Sequence, residues 1–316
     1  DTIDGFLAWS ASNLGAGSET YCELETADNK TSLVARDGSL VSLVKVTGAK
    51  YLVGPEEFSK IHSEMTRAFQ SSMARPGHAV QMYYVYDKAN IKSDLRRILN
   101  PAIKTAERLG MGLDDLFNER IENLSGYCAQ EGFYLVLWTR PSILTKEQFE
   151  QSNKDRAELL KKSKIKIPVI RNAQNIIRGI PEIRDGHDSF TKSVYSQLSS
   201  LNFDCELLTI HKACHAIRYS VDPDFTDDHW QASLPGDKLP MRSTKHFEGE
   251  ISEVLWPSLS KQLIPRDGEN IDLRFARIGD NIYGSAFIEL LPKDTAPFMQ
   301  LFNKLLTVGM PWRISI

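Results

Sequence analysis

The stretch at residues 31–48, TSLVARDGSLVSLVKVTG, carries two β-rich runs on either side of Arg36-Asp37-Gly38-Ser39. Asp-Gly between two such runs is the strongest short-range hairpin signal, because the tight connection needs a backbone conformation that glycine adopts without strain. The segment after it narrows the fold further. Pro55, Glu56 and Glu57 read as a helix start, with proline favoured in the first turn and acids suiting the positive end of the helix dipole. Phe58, Ile61, Met65, Ala68, Phe69 and Met73 then recur at helical spacing to about residue 74. AVQMYYVYD at 79–87 returns as a strand, so the unit is ββαβ.

Residues 88–130 read as two helices with a break at Leu109-Gly110-Met111-Gly112. GFYLVLWTR at 132–140 is continuous in apolar and aromatic residues, as a central strand is. Thr145 with Gln148 offers a capping box for a helix over 146–162. The second half predicts a helix at 187–200, a strand at 203–209, a helix through Tyr219 and a loop over 222–247. A second hairpin then crosses Gly279-Asp280, and Pro297 opens a helix with Phe298, Leu301, Phe302, Leu305 and Leu306 on one face. PWRISI closes as a strand, so the ββαβ order recurs.

The expected fold is therefore α+β, with mixed or antiparallel sheets and ferredoxin-like ββαβ units repeated in two halves. Helices pack on the sheet, and 88–130 forms a helical insertion. The expected organisation is an N-terminal arm at 1–30, a first lobe at 31–163, a basic linker at 164–186 and a second lobe at 187–316. The arm holds an apolar patch, Ile3, Phe6, Leu7 and Trp9, suited to a partner, a membrane surface or its own domain. The abrupt apolar ending on Ile316 reads as a boundary where one folded layer finishes.

Over 316 residues the net charge is only -3, which supplies no global pull toward nucleic acid. No apolar run approaches the roughly 18 residues of a membrane span. Four cysteines, Cys22, Cys128, Cys205 and Cys214, show no CxxC spacing and read as reduced thiols of a cytoplasmic protein. Charge is concentrated locally. From Lys154 to Arg184, nine Lys or Arg stand against Asp155, Glu158 and Glu182, giving +6, with isoleucines interleaved. Lys161, Lys162, Lys164, Lys166 and Arg171 suit an anionic membrane or an acidic partner, or equally a solvated linker. Trp230, in the long loop, is a candidate partner anchor or a packing residue for that loop.

Catalytic signatures are missing. There is no Gly-Lys dipeptide, hence no phosphate-binding P-loop, and no GxSxG elbow. Gly15-Ala16-Gly17 and Gly110-Met111-Gly112 lack the third glycine of a dinucleotide fingerprint. His211 and His215 lie at i,i+4 beside Cys214, a spacing that permits zinc, yet Leu207, Ile210, Cys214 and Ile217 also make a simple core stripe. DPDFTDDHW at 222–230 lacks the glycine and the final glutamate of a calcium loop. Residue chemistry alone points to a non-catalytic module, with no cofactor, metal or catalytic residue assigned.

The opening hairpin LVARDGSLVSLVKVTG, the helix after VGPEEF, the strand MYYVYD and the closing LFNKLLTVGMPWRISI together resemble the N-terminal region of conjugation and type IV secretion traffic ATPases. Within that class, which includes TraC, TrbE and CagE, the resemblance is greatest to the Dot/Icm type IVB branch, and it covers essentially the whole chain. It implies a docking and assembly domain ahead of a RecA-like ATPase domain that would bind ATP and Mg beyond residue 316. It also implies attachment to inner-membrane complex proteins from the cytoplasmic side, hexameric rings, and a second, DotB-like traffic ATPase as partner. A nucleic-acid-binding module using 154–184, or a metal-dependent enzyme at His211, Cys214 and His215, are the competing readings.

Overall fold

The computed structural model describes residues 22–73, 76–88, 91–163, 173–222, 225, 227–237, 256–266, 268–272, 274–287, 295–308 and 310–316. In chain order, the elements begin β1 (Leu24–Ala27), β2 (Leu33–Ala35), β3 (Leu40–Ala49), α1 (Pro55–Ser72) and β4 (His78–Asp87). They continue with α2 (Ile91–Arg108), α3 (Asp114–Ser125), β5 (Gln130–Thr139), α4 (Lys146–Ser163), α5 (Arg184–Ser200), β6 (Phe203–Leu207) and α6 (Ile210–Val221). The last are α7 (Leu259–Leu263), β7 (Gly268–Asn270), β8 (Phe275–Ile278), β9 (Asn281–Gly284), α8 (Thr295–Thr307) and β10 (Trp312–Ser315). The chain is α+β, and the β1–β2, β2–β3, β3–β6, β4–β10, β7–β8 and β8–β9 pairings are all antiparallel. It divides into two compact units, one of residues 1–80 and 136–287, the other of 81–135 and 288–316.

In the first unit the strand order is β1-β2-β3-β5, with β6 also paired to β3. The predicted hairpin turn is present. Gly38 sits at φ 89, its N–H bonds Ala35 O at 2.9 Å, and Asp37 Oδ1 accepts from Ser39 N at 2.8 Å. Leu40 to Val44 are all buried, which accounts for the near-continuous apolar run of this central strand. Val34 and Leu40 pack with Ile180 and Ile183, and Ile143, Leu144 and Phe149 close over them. α5 adds Phe190, Val194 and Leu198 to the buried set, while α6 adds Ile210, Ala213 and Cys214.

α1 begins at Pro55 as predicted, but its apolar stripe is only half covered: Ile61 and Met65 are half-buried, and Phe58 is 63% exposed. α4 is opened by a true capping box. Thr145 N bonds Gln148 Oε1 at 2.9 Å and Gln148 N bonds Thr145 Oγ1 at 3.3 Å. A separate three-stranded sheet, β7-β8-β9, also belongs to this unit.

In the second unit β10 pairs with β4, Trp312 opposite Tyr86 and Ile314 opposite Tyr84. One face gathers Tyr84, Tyr86 and Trp312 with Phe302 of α8, at centroid spacings of 5.2 to 5.8 Å. Trp312 Nε1 donates to Leu305 O at 2.8 Å, a carbonyl that also accepts from Val308 N at 3.1 Å, and Tyr86 Oη donates to Leu306 O at 3.3 Å, so both aromatics tie to carbonyls in the last turn of α8. α2 and α3 pack through Ile91, Leu95 and Ile121. The predicted break between them is a glycine-terminated helix end. Gly110 has φ 70, its N–H bonds Glu107 O at 3.0 Å, and Met111 N bonds Ala106 O at 2.9 Å.

The hairpin of the second ββαβ stretch is thus in the small sheet of the first unit, while its last strand lies in the second unit.

Candidate functional site

Four polar side chains of the first unit form a hydrogen-bonded chain inside it. Ser42 is the one polar residue in the buried run of β3, and Thr139 ends the apolar run of β5; both are 0 to 1% exposed. His187, on α5, is fully buried between them, with Nε2 2.9 Å from Ser42 Oγ and Nδ1 2.9 Å from Thr139 Oγ1. Thr139 Oγ1 also lies 3.0 Å from Nδ1 of His78 at the start of β4. At the far end Ser42 Oγ donates to Thr31 O at 2.8 Å and lies 3.2 Å from Ser32 Oγ. His78 stacks on Phe190, centroids 4.3 Å apart. Burial, with the neighbouring His78, pushes His187 down to about 4, against a smaller upward pull from Asp28. Ser–His contact alone invites a hydrolase reading, but Ser42 is sealed from any substrate.

Two of the five basic residues named from sequence fall at one helix end. Lys161 and Lys162 occupy the last turn of α4, where cations suit the negative end of the dipole. Both are exposed, and Lys162 Nζ lies 3.5 Å from Glu158. Lys164, Lys166 and Arg171 lie outside the described residues. Two arginines of the same basic stretch are engaged with backbone: Arg156 donates to Arg178 O at 3.0 Å, and Arg178 Nε donates to Arg36 O.

Trp230 is half-buried and stacks against its own molecule. The Arg218 guanidinium lies 4.4 Å from the Trp230 ring and 4.2 Å from that of Phe225. Such cation–π contact, strengthened by partial burial, holds the loop onto α6.

The histidines at i,i+4 have different partners. His211 Nε2 reaches Asp237 Oδ1 at 2.9 Å, and His215 Nε2 donates to Asp227 O at 3.2 Å. Cys214 is fully buried, and burial pushes its thiol up to about 12. Among the described residues no group of three or more His, Cys, Asp or Glu side chains could hold a metal ion. No helix among them is long and apolar enough to cross a membrane.

Sequence reasoning did not find the buried chain. Its members are up to 145 residues apart and match no motif. The one available signal was a hydroxyl in each of two apolar runs, Ser42 within Leu40–Val44 of β3 and Thr139 at the end of the run in β5. In comparisons with known proteins, no family model and no curated protein matches this chain.

Proposed function

We propose that this chain is the non-catalytic N-terminal docking and assembly region of a type IV secretion ATPase, of the Dot/Icm type IVB kind typified by DotO (IcmB). The observation that carries this reading is the order of the four resembling segments, LVARDGSLVSLVKVTG, VGPEEF, MYYVYD and LFNKLLTVGMPWRISI, along one chain. Each falls on a regular element or its entry: the β2–β3 hairpin, the start of α1, β4, and α8 with β10. In this reading the two ββαβ stretches are ferredoxin-like units, and the ATP- and Mg-binding motor comes after them. The region would hold the motor to inner-membrane complex proteins on the cytoplasmic face, support ring assembly, and work beside a second, DotB-like ATPase. The exposed Lys161 and Lys162 would face the anionic membrane surface or an acidic partner.

The test is retention of inner-membrane complex components by the purified chain, and sedimentation with vesicles of phosphatidylglycerol and phosphatidylethanolamine. Reversing Lys161, Lys162, Lys164 and Lys166 to glutamate is expected to weaken membrane-fraction binding. ATP hydrolysis by this chain alone, or retention of no complex component, overturns the assignment. Unchanged vesicle binding in the reversed variant removes the membrane role of the basic segment.

A further inference from the structure

The second unit carries a guanidinium that its own chain leaves unanswered. Arg313 lies on β10 opposite Val85 of β4, and Ser315 lies opposite Tyr83. Paired residues share a sheet face, as do residues two apart on one strand, so Arg313, Ser315, Tyr83 and Val85 project together. This is the face away from the cluster of Tyr84, Tyr86, Trp312 and Phe302. β5 is the other neighbour of β4, and its Phe133 meets Tyr84 on the clustered face, which puts Tyr134 on the Arg313 side. The Tyr134 ring lies back over Gly132, where a Cβ would stand 3.1 Å from its Cε2.

These side chains present donors that the chain leaves unused. Nε and Nη2 of Arg313 are closed off from water and meet no acceptor. Among the described residues the Arg313 side chain forms no ion pair, and the hydroxyls of Tyr83 and Tyr134 form no hydrogen bond. Burial, then the nearby Tyr83, pushes the Tyr134 hydroxyl above its ordinary pKa, so it stays protonated and able to donate. A shielded donor without a partner carries its full desolvation penalty, and the penalty is largest for a charged group. An acceptor arriving from outside the chain removes it.

We propose that Arg313, Tyr83 and Tyr134 form a binding site for a carboxylate group supplied from outside the chain. The planar guanidinium fork matches the edge of a carboxylate, and the phenol hydroxyls can donate to the same oxygens. One cation with two neutral donors balances a single negative charge. Asp87, fully buried two positions beyond Val85 on the same face, adds a negative charge that disfavours a phosphate dianion. The site lies wholly within the second unit and does not depend on the docking role proposed above.

The experiment is a titration of the whole chain with sodium acetate, read by NMR at the arginine Nε–H and tyrosine ring signals. Sodium phosphate and sodium chloride at matched ionic strength are the comparisons. Acetate should shift the Arg313, Tyr83 and Tyr134 signals saturably and bind more tightly than phosphate. Tyr83→Phe and Tyr134→Phe should each weaken acetate binding about tenfold, as loss of a hydrogen bond to a charged group does. Arg313→Gln should abolish the response. Acetate stands for a free organic acid and N-acetylglutamate α-amide for a protein side chain; a saturable response to either supports the site, and the tighter one names the source. The absence of a saturable shift, a response that chloride reproduces, or wild-type affinity in both phenylalanine variants overturns the proposal. Phosphate binding more tightly than acetate overturns the carboxylate assignment. Should Arg313→Gln not fold, the wild-type titration and the two phenylalanine variants decide it.

Discussion

Arg184 grips Asp28 through two parallel hydrogen bonds, Nε to Oδ2 at 2.7 Å and Nη2 to Oδ1 at 2.6 Å. The pair ties the first residue of α5 to the turn between β1 and β2, and it is built on a carboxylate that is only 6% exposed. Donating to the Asp28 carboxylate holds the Arg184 guanidinium above its ordinary pKa.

Removing the guanidinium leaves a shielded carboxylate without its partner, which costs more than the pair contributes. Arg184→Ala is expected to destabilise the first unit by about 2 kcal/mol, in the range of a charged hydrogen bond. Arg184→Lys keeps the charge but loses the fork, and should recover only part of that loss. Urea unfolding midpoints check both; equal stability of all three proteins would refute the role.

Gly38 and Gly110 both have positive φ, at 89° and 70°, but their surroundings differ. A Cβ at Gly38 would stand 2.8 Å from Ile180 Cδ1, a core residue, whereas nothing lies within 4 Å of one at Gly110. Gly110→Ala should therefore cost ~1 kcal/mol, from backbone strain alone. Gly38→Ala should cost ~2 to 3 kcal/mol, strain and overpacking together. Comparing the two thermal unfolding curves separates the two contributions.

Folded-state His187 is held near 4, below its ordinary value of 6.5, so the unfolded chain binds the proton more readily. Its neutral-form stability is fully present above about pH 6.5 and is lost as pH falls toward 4. The loss should approach about 3 kcal/mol across that window. In His187→Gln the slope of stability against pH between those limits should flatten, as read by urea unfolding at a series of pH values.

Cys214 combines complete burial with a thiol pushed up to about 12, both of which suppress the reactive thiolate. Alkylation mapped by mass spectrometry under native conditions should label Cys128 and Cys205, which are half-buried, before Cys214. Cys214 should react only on unfolding. Early labelling at Cys214 would show that α6 opens locally.

Much of the local structure is legible in the sequence because its causes are local. Thr145 and Gln148 sit three apart and bond each other, Gly110 terminates α2 through its own backbone, and Asp37-Gly38 makes the turn it names. β1 is not legible in this way. Its four residues, LETA, carry no long periodic signal and are strand only because β2 supplies the pairing. The site is less legible still, since no spacing in the chain announces that Ser42, Thr139, His78 and His187 will meet.

By itself the sequence determined most of the helices, the β2–β3 and β8–β9 hairpins and the break at Gly110, because periodicity, caps and turn residues act within a few positions. Only the tertiary structure decided which segments pool into each unit, and that Trp230 stacks on Arg218. It alone also decided that a hydroxyl at Ser42 and one at Thr139 would find one imidazole between them. Buried polar groups must find partners wherever the fold brings them, and which partners arrive is a property of packing rather than of order along the chain.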